Sequence, residues 1–153
     1  MPYKILQVLT IAVAGFMVGN ELSVAAFLHP SLRRLPDDMN ARVRRDFARL
    51  FGRIMPFWYS AVALLTIALA WMGPPFRSMS GRLLLAAAIL WLVTILYTVI
   101  LPKPLNSRIA AWPLESMPAD WQAQERRWDR FHVVRMFLLV AAFTCLVASA
   151  VVS

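Results

Sequence analysis

The chain has 153 residues, of which 60% are hydrophobic, and its mean hydropathy is +0.62. A soluble domain is usually only about 45–50% apolar, so the composition argues against a soluble globular protein. The single cysteine, Cys145, excludes a disulfide framework and a thiolate metal cluster within the chain. We attribute the net charge of +8 to Lys and Arg gathered on one membrane face, and we expect no nucleic-acid partner.

Four long segments with almost no charge each approach the roughly 17–25 residues that cross a bilayer as a helix. They comprise residues 5–28, 54–72, 83–101 and 131–152. We therefore predict an all-α fold, a four-transmembrane-helix antiparallel bundle. Residues 1–153 are expected to form a single integral membrane domain, because no stretch outside the spans could build a core of its own.

Lys and Arg are distributed unequally between the two sides of this predicted bundle. Thirteen lie in the connections between spans one and two and between spans three and four, counting Arg135 at the edge of span four, and three lie on the other side. The positive-inside rule then places the two long connections in the cytoplasm and both termini outside. We expect the protein in the lipid bilayer of a bacterial inner membrane. Whether it forms a homo-oligomer is left open.

Span one ends with polar residues at membrane depth. Asn20 and Glu21 lie a few residues before its cytoplasmic end, and His29 closes the span. A buried carboxylate is paired, protonated or bound to a cation, so Glu21 requires a partner.

An additional amphipathic helix is predicted over residues 38–54, where apolar residues recur mostly at steps of three and four and arginines occupy another face. This helix either rests on anionic lipid at the interface or covers a pocket. Met55-Pro56 is expected to break or kink the chain where it enters span two.

The connection after span three is rich in proline and carries Asn106 near the mouth of the bundle. Such a stiff loop either contributes to a site or only caps helix ends. The segment from Asp120 onward is predicted to extend helix four into the cytoplasm before the helix enters the membrane near Phe131.

One face of helix four carries four residues at steps of seven, four and three: Trp121, Trp128, His132 and Arg135. A charge at the depth of Arg135 is costly unless it is paired or hydrated, so it marks either a functional site or a structural ion pair. Spans one and three end, and span four begins, at the same membrane level. We therefore predict that Glu21 and Arg135 lie in direct or one-water contact.

Four motifs, in this order, resemble the anthrone oxygenase-like family of small four-helix membrane proteins: Glu21-x7-His29-Pro30, Met55-Pro56, Pro104-x-Asn106-x2-Ile109 and Trp128-x3-His132-x2-Arg135. The resemblance extends over nearly the whole chain. It implies a shared helical scaffold with a polar pocket of Asn, His, Trp and Arg. Fungal members are implicated in oxidising an anthrone to an anthraquinone, which implies an oxygenase-like activity on a hydrophobic aromatic or phenolic substrate. The resemblance does not imply a particular cofactor.

Two mechanisms would suit such a pocket at the cytoplasmic ends of helices one, three and four. In the first, His29, His132 and Glu21 bind copper or non-haem iron, since two imidazoles and a carboxylate suit either metal. In the second, no cofactor is needed, because an anthrone-like substrate has an acidic C–H group and its carbanion reacts with O₂ directly.

In the cofactor-free mechanism, His132 would be the base because histidine titrates near neutral pH. Arg135 and Asn106 would hold the enolate oxygen. The candidate substrate-binding residues would border or stack against a flat ring: Trp112, Trp121, Trp128 and Asn20. The alternative from a different functional class is a non-enzymatic membrane module that binds a lipid, a quinone or a partner helix.

Overall fold

The computed structural model describes residues 1–153 and is built of helices without any strand. Four helices are long and apolar enough to cross a membrane: Pro2–Leu32, Asp37–Met72, Met79–Ile100 and Trp121–Val151. The predicted all-α bundle of four spans is thereby confirmed, and the chain is an integral membrane protein. Fourteen buried residues from the four spans form the main apolar core.

The first span contains one irregular turn. α1 covers Pro2–Ser23, a π turn covers Val24–Leu28, and α2 covers His29–Leu32. A π turn closes i→i+5 hydrogen bonds; such turns are rare and frequently occur at functional sites. Because it lies between Glu21 and His29, it sets the relative orientation of two predicted site residues.

The segment 38–54 is helical, as predicted, but it is not a separate element. α3 runs from Asp37 to Met72 without interruption, with Pro56 inside it, so of the predicted break or kink at Met55-Pro56 the break is excluded. Proline is tolerated inside a membrane helix where neighbouring groups satisfy the freed backbone polar atoms. Pro56 has no N–H to donate to the carbonyl of Gly52, four residues before it, so one helical hydrogen bond is missing while the helix continues.

The buried face of this segment is not its apolar stripe. Three residues of the stripe are exposed, Met39, Leu50 and Ile54, and three are partly buried, Val43, Phe47 and Phe51. The residues that become buried are small or polar: Asn40, Ala41, Arg44 and Ala48. This face therefore packs against the rest of the protein through small and polar residues, which hydrophobic periodicity does not identify.

The remaining helices return the chain twice across the bundle. α4 covers Met79–Ile100, α5 covers Pro102–Ala110, and α6 covers Trp121–Val151. The first half of the proline-rich connection is thus a short helix, with proline in its first turn where the missing N–H is harmless, and residues 111–120 form a loop. The predicted extension of helix four is present as the first turns of α6. We call the end of the bundle that carries residues 33–53 and 103–130 the basic end.

Candidate functional site

A buried ion pair joins the first and last spans. Arg135 Nη2 donates to Glu21 Oε2 at 2.9 Å, so the predicted contact is confirmed. The Tyr59 hydroxyl donates to the other carboxylate oxygen, Oε1. Glu21 is only 2% exposed, and a buried carboxylate of this kind is stable only with such partners.

His132 is held on both ring nitrogens by protein groups. Its Nε2 lies 3.0 Å from the Glu21 carbonyl oxygen, and its Nδ1 lies 2.9 Å from Arg135 Nη2. A carbonyl only accepts and a guanidinium only donates, so Nε2 carries the hydrogen and Nδ1 uses its lone pair on Arg135. The imidazole has no free acceptor for a substrate proton. In this arrangement His132 orients Arg135, and the Nδ1 lone pair that a base would need is engaged by the guanidinium.

A cavity of about 240 Å³ lies beside this pair, between α3, α4, α5 and α6. Its surface is mostly apolar, and its polar or aromatic lining residues include Tyr59, Lys103, Asn106, Trp128 and Arg135. Three predicted site residues are thus brought together at one cavity. Tyr59 was not among the predicted site residues, since a tyrosine in an apolar span has no sequence signal that separates a lining role from packing.

The four predicted substrate-binding residues separate into two groups. Trp128 lines the cavity and stacks on the His132 ring, with centroids 5.1 Å apart and planes 21° apart. Trp112 and Trp121 do not line it and pack edge to face with each other, with centroids 6.0 Å apart. Trp121 precedes Trp128 by seven residues, about 10 Å along the helix. It therefore lies too close to the basic end to line the cavity.

Trp112 and Asn20 have other surroundings. Trp112 is 3% exposed in a small apolar cluster at the basic end, and its indole N–H donates to Gln124. Asn20 does not line the cavity, and its amide nitrogen is buried without a hydrogen-bond partner. Neither residue is placed to contact a molecule in the cavity.

Asn106 connects α5 to α3 at the cavity wall. Its amide nitrogen donates to the Ala48 carbonyl at 2.9 Å. A Cβ added to Gly52 would lie 3.0 Å from the same nitrogen, so the close approach of Asn106 favours a residue without a side chain there. One of the two amide hydrogens of Asn106 is therefore engaged in holding the wall.

A second buried polar network lies on the basic-end side of the first. Arg44 Nη1 donates to Asp129 Oδ1 at 2.9 Å, and Arg44 Nη2 lies 2.7 Å from Glu125 Oε1. Arg33 also bonds to Asp129, and Asn40 accepts from Arg44 Nε. We did not predict this network. Its only sequence signal is the pair of i, i+4 spacings, Asn40 with Arg44 and Glu125 with Asp129.

His29 lies between the two networks. Its Nδ1 is 3.3 Å from Asp129 Oδ1, and its ring centroid is 4.9 Å from those of both His132 and Trp128. A continuous buried polar column therefore runs along α6 from Glu125 to Arg135. His29 makes its polar contact with this column and not with Glu21.

The predicted metal ligands Glu21, His29 and His132 are not arranged as a metal site. No group of three His, Cys, Asp or Glu side chains has a geometry that could hold a metal ion. The physical reason is that Arg135, Tyr59 and a backbone carbonyl occupy the donor atoms of Glu21 and His132, while His29 faces Asp129. The residues present therefore do not fit the copper or iron centre.

The sequence model of the anthrone oxygenase family matches residues 47–145. The chain belongs to this family. The matched range contains every residue that lines the cavity, whereas Glu21 and His29 precede it. No curated protein and no solved structure matches the chain. The family membership agrees with the resemblance found in the sequence motifs, and among the site's parts it covers Tyr59, Trp128 and Arg135 directly.

Proposed function

We propose that this protein is a membrane-embedded oxygenase that acts on a hydrophobic aromatic or phenolic substrate of the anthrone type. The substrate binds in the cavity between α3, α4, α5 and α6. The observation that carries this proposal is the combination of one buried guanidinium, Arg135, with the ring of Trp128 in a mostly apolar cavity. Family membership supports an oxygenase over other uses of such a cavity.

The chemistry needs a flat ring to be held and a negative oxygen to be stabilised. Trp128 provides an aromatic surface already fixed by stacking on His132. Arg135 provides the positive charge, and its Nε is buried without a protein partner. A substrate oxygen that accepted from this donor would remove the cost of leaving it unpaired. Preorganised donors of this type stabilise a developing oxyanion.

The reaction balances without a reductant. A methylene group of the substrate loses a proton, and the resulting carbanion is delocalised onto the ring carbonyl oxygen. The carbanion gives two electrons to O₂, one at a time because O₂ is a triplet, and a C–O bond forms. The peroxide oxygen takes up a proton. Loss of the second methylene proton and cleavage of the O–O bond then release water and leave a second carbonyl group.

We further propose that the basic end faces the cytoplasm of a bacterium and that both termini lie outside the inner membrane. The excess of Lys and Arg on this side, thirteen against three, supports this orientation. A substrate that partitions into lipid would then reach the cavity from the cytoplasmic side of the bilayer.

The test is oxidation of anthrone by the protein in lipid nanodiscs. The reaction is monitored through O₂ uptake and through the absorbance of the quinone. Wild-type protein should exceed the spontaneous rate. Arg135→Gln should reduce the excess by about 100-fold or more, the range expected when a stabilising donor is lost, and Trp128→Leu should reduce it because the aromatic surface is lost. Trp71→Leu is the matched control, because Trp71 is 87% exposed and lies at the far end of α3 from the residues that line the cavity. A rate equal to the spontaneous one, with tight quinone or lipid binding, would instead identify a non-enzymatic membrane module.

A further inference from the structure

We propose that Tyr59 removes the substrate proton and simultaneously passes its own hydroxyl proton to Glu21. The inference rests on the proposed function, and it assigns the base that the cofactor-free reaction requires. The bond from the substrate carbon to hydrogen breaks, a bond from the Tyr59 oxygen to that hydrogen forms, and the former Tyr59 proton ends on Glu21 Oε1. No oxidant takes part in this step.

The contacts of Tyr59 place it between the cavity and a carboxylate. Tyr59 lines the cavity, and its hydroxyl donates to Glu21 Oε1, which leaves the lone pairs of the hydroxyl oxygen without a protein donor. Glu21 itself does not line the cavity and is 2% exposed. A proton from a bound molecule can therefore reach this carboxylate through the tyrosine hydroxyl.

The other titratable groups near the cavity are less suited to the task. Protonation of His132 would place a cation at Nδ1, 2.9 Å from the guanidinium of Arg135, and like charges at that distance repel strongly in a buried site. Lys103 lines the cavity but is solvent-exposed, and an ammonium group has no acceptor. Glu21, in contrast, is a carboxylate that contacts Tyr59, and Tyr59 lines the cavity and can transfer a proton.

Charge balance in the buried site also favours Glu21. Before the transfer, Arg135 is paired with the Glu21 carboxylate at 2.9 Å. After it, Glu21 is neutral and the substrate oxygen carries the negative charge, so Arg135 exchanges one anionic partner for another. The net charge of the site stays constant, and no ion is left unpaired where desolvation is costly. When the peroxide forms, the same proton can return from Glu21 through Tyr59 to the peroxide oxygen.

The experiment isolates proton removal from oxidation. Anthrone deuterated at its methylene group is incubated anaerobically with the protein in H₂O nanodiscs, and loss of deuterium is followed by mass spectrometry. Wild-type protein should accelerate the loss, and Tyr59→Phe should reduce the acceleration by about 100-fold or more, the usual range for losing a general base. Glu21→Gln should reduce it similarly, because an amide cannot store the proton.

Tyr97→Phe is the matched control, since the Tyr97 hydroxyl donates to the Phe131 carbonyl and does not line the cavity. It should leave the exchange rate unchanged. Binding of anthraquinone, read from tryptophan fluorescence, should be the same in Tyr59→Phe and wild type, which separates a lost proton acceptor from a collapsed cavity.

The two proposals fail in different ways. The role of Tyr59 is overturned if exchange is equally fast in Tyr59→Phe and wild type. It is also overturned if wild-type protein binds anthraquinone in the separate binding assay but does not accelerate exchange. Exchange that depends on Tyr59, but with no quinone formed when O₂ is admitted, supports the proton transfer and overturns the proposed oxygenase.

Discussion

Arg135 contacts Glu21 at 2.9 Å, although the two residues are 114 positions apart in the chain. The contact fixes α6 against α1, and His132 adds a second link by donating to the backbone carbonyl of the same glutamate. Tyr59 also bonds to this glutamate, so the three buried side chains all depend on one turn of α1. This turn immediately precedes the π turn at Val24–Leu28.

The pair should show strong coupling in stability measurements. Glu21→Gln or Arg135→Gln alone leaves a buried charge without its partner, which typically costs about 3–5 kcal/mol. The double variant should be less destabilised than the sum of the single variants. Unfolding of all four proteins in the same detergent measures the coupling, which is expected at roughly 0.5–3 kcal/mol for residues in contact. Additive losses would mean that the two side chains do not meet in the membrane.

The Arg44 network should be as important for stability as the site itself. Arg44→Met leaves the carboxylates of Glu125 and Asp129 buried without their main cation, at 6% and 5% exposure. We expect a loss of about 3–5 kcal/mol. Arg42→Met, an exposed arginine on the same helix, should change stability by less than about 0.5 kcal/mol. Adding Glu125→Gln and Asp129→Asn to Arg44→Met should restore part of the loss, and no restoration would argue against a charge-based cause.

The sequence was sufficient to predict the four spans, because their length and lack of charge are required by the bilayer. It was also sufficient for the Glu21–Arg135 contact, since a buried charge needs a partner and few were available. It was not sufficient for Arg44, whose burial depends on carboxylates 81 and 85 positions away that turn an apparently solvated face inward. The hydrogen bonds of His132 could not be predicted for a similar reason. Its position on the helix face is local, but the partners of its two ring nitrogens are tertiary.

Gly52 should control both the cavity and the packing of α5. A side chain at this position meets the Asn106 amide, so Gly52→Leu should displace Asn106, weaken its bond to Ala48 and fill space beside the cavity. Quinone binding should fall by about tenfold or more, which corresponds to about 1.4 kcal/mol. Gly19→Leu is the control, because no atom lies within 4 Å of the added Cβ. Unchanged binding in Gly52→Leu would place the ligand elsewhere.

The proposed orientation predicts where a reporter is active. Alkaline phosphatase fused after Ser153 should be active, since this enzyme requires the periplasm, and the same reporter inserted near Glu115 should be inactive. The expectation follows from the positive-inside rule and from the four spans. A reverse pattern would place the basic end outside and would contradict the proposed cytoplasmic entry of the substrate.

The proposed role of His132, to orient Arg135 and not to act as the base, predicts a particular pH dependence. His132→Leu removes the acceptor of Arg135 Nη2 and loosens the guanidinium, so the oxidation rate should fall. Because His132 does not exchange a proton with substrate, the fall should be the same factor at every pH between 5.5 and about 8.5, the range in which an ordinary histidine titrates. A histidine base would instead make the pH dependence itself disappear in the variant.

His29→Gln tests the neighbouring group. Its polar contact is with Asp129, so it should lower stability more than rate, whereas an equal loss of rate and of bound metal in both variants would restore the metal mechanism.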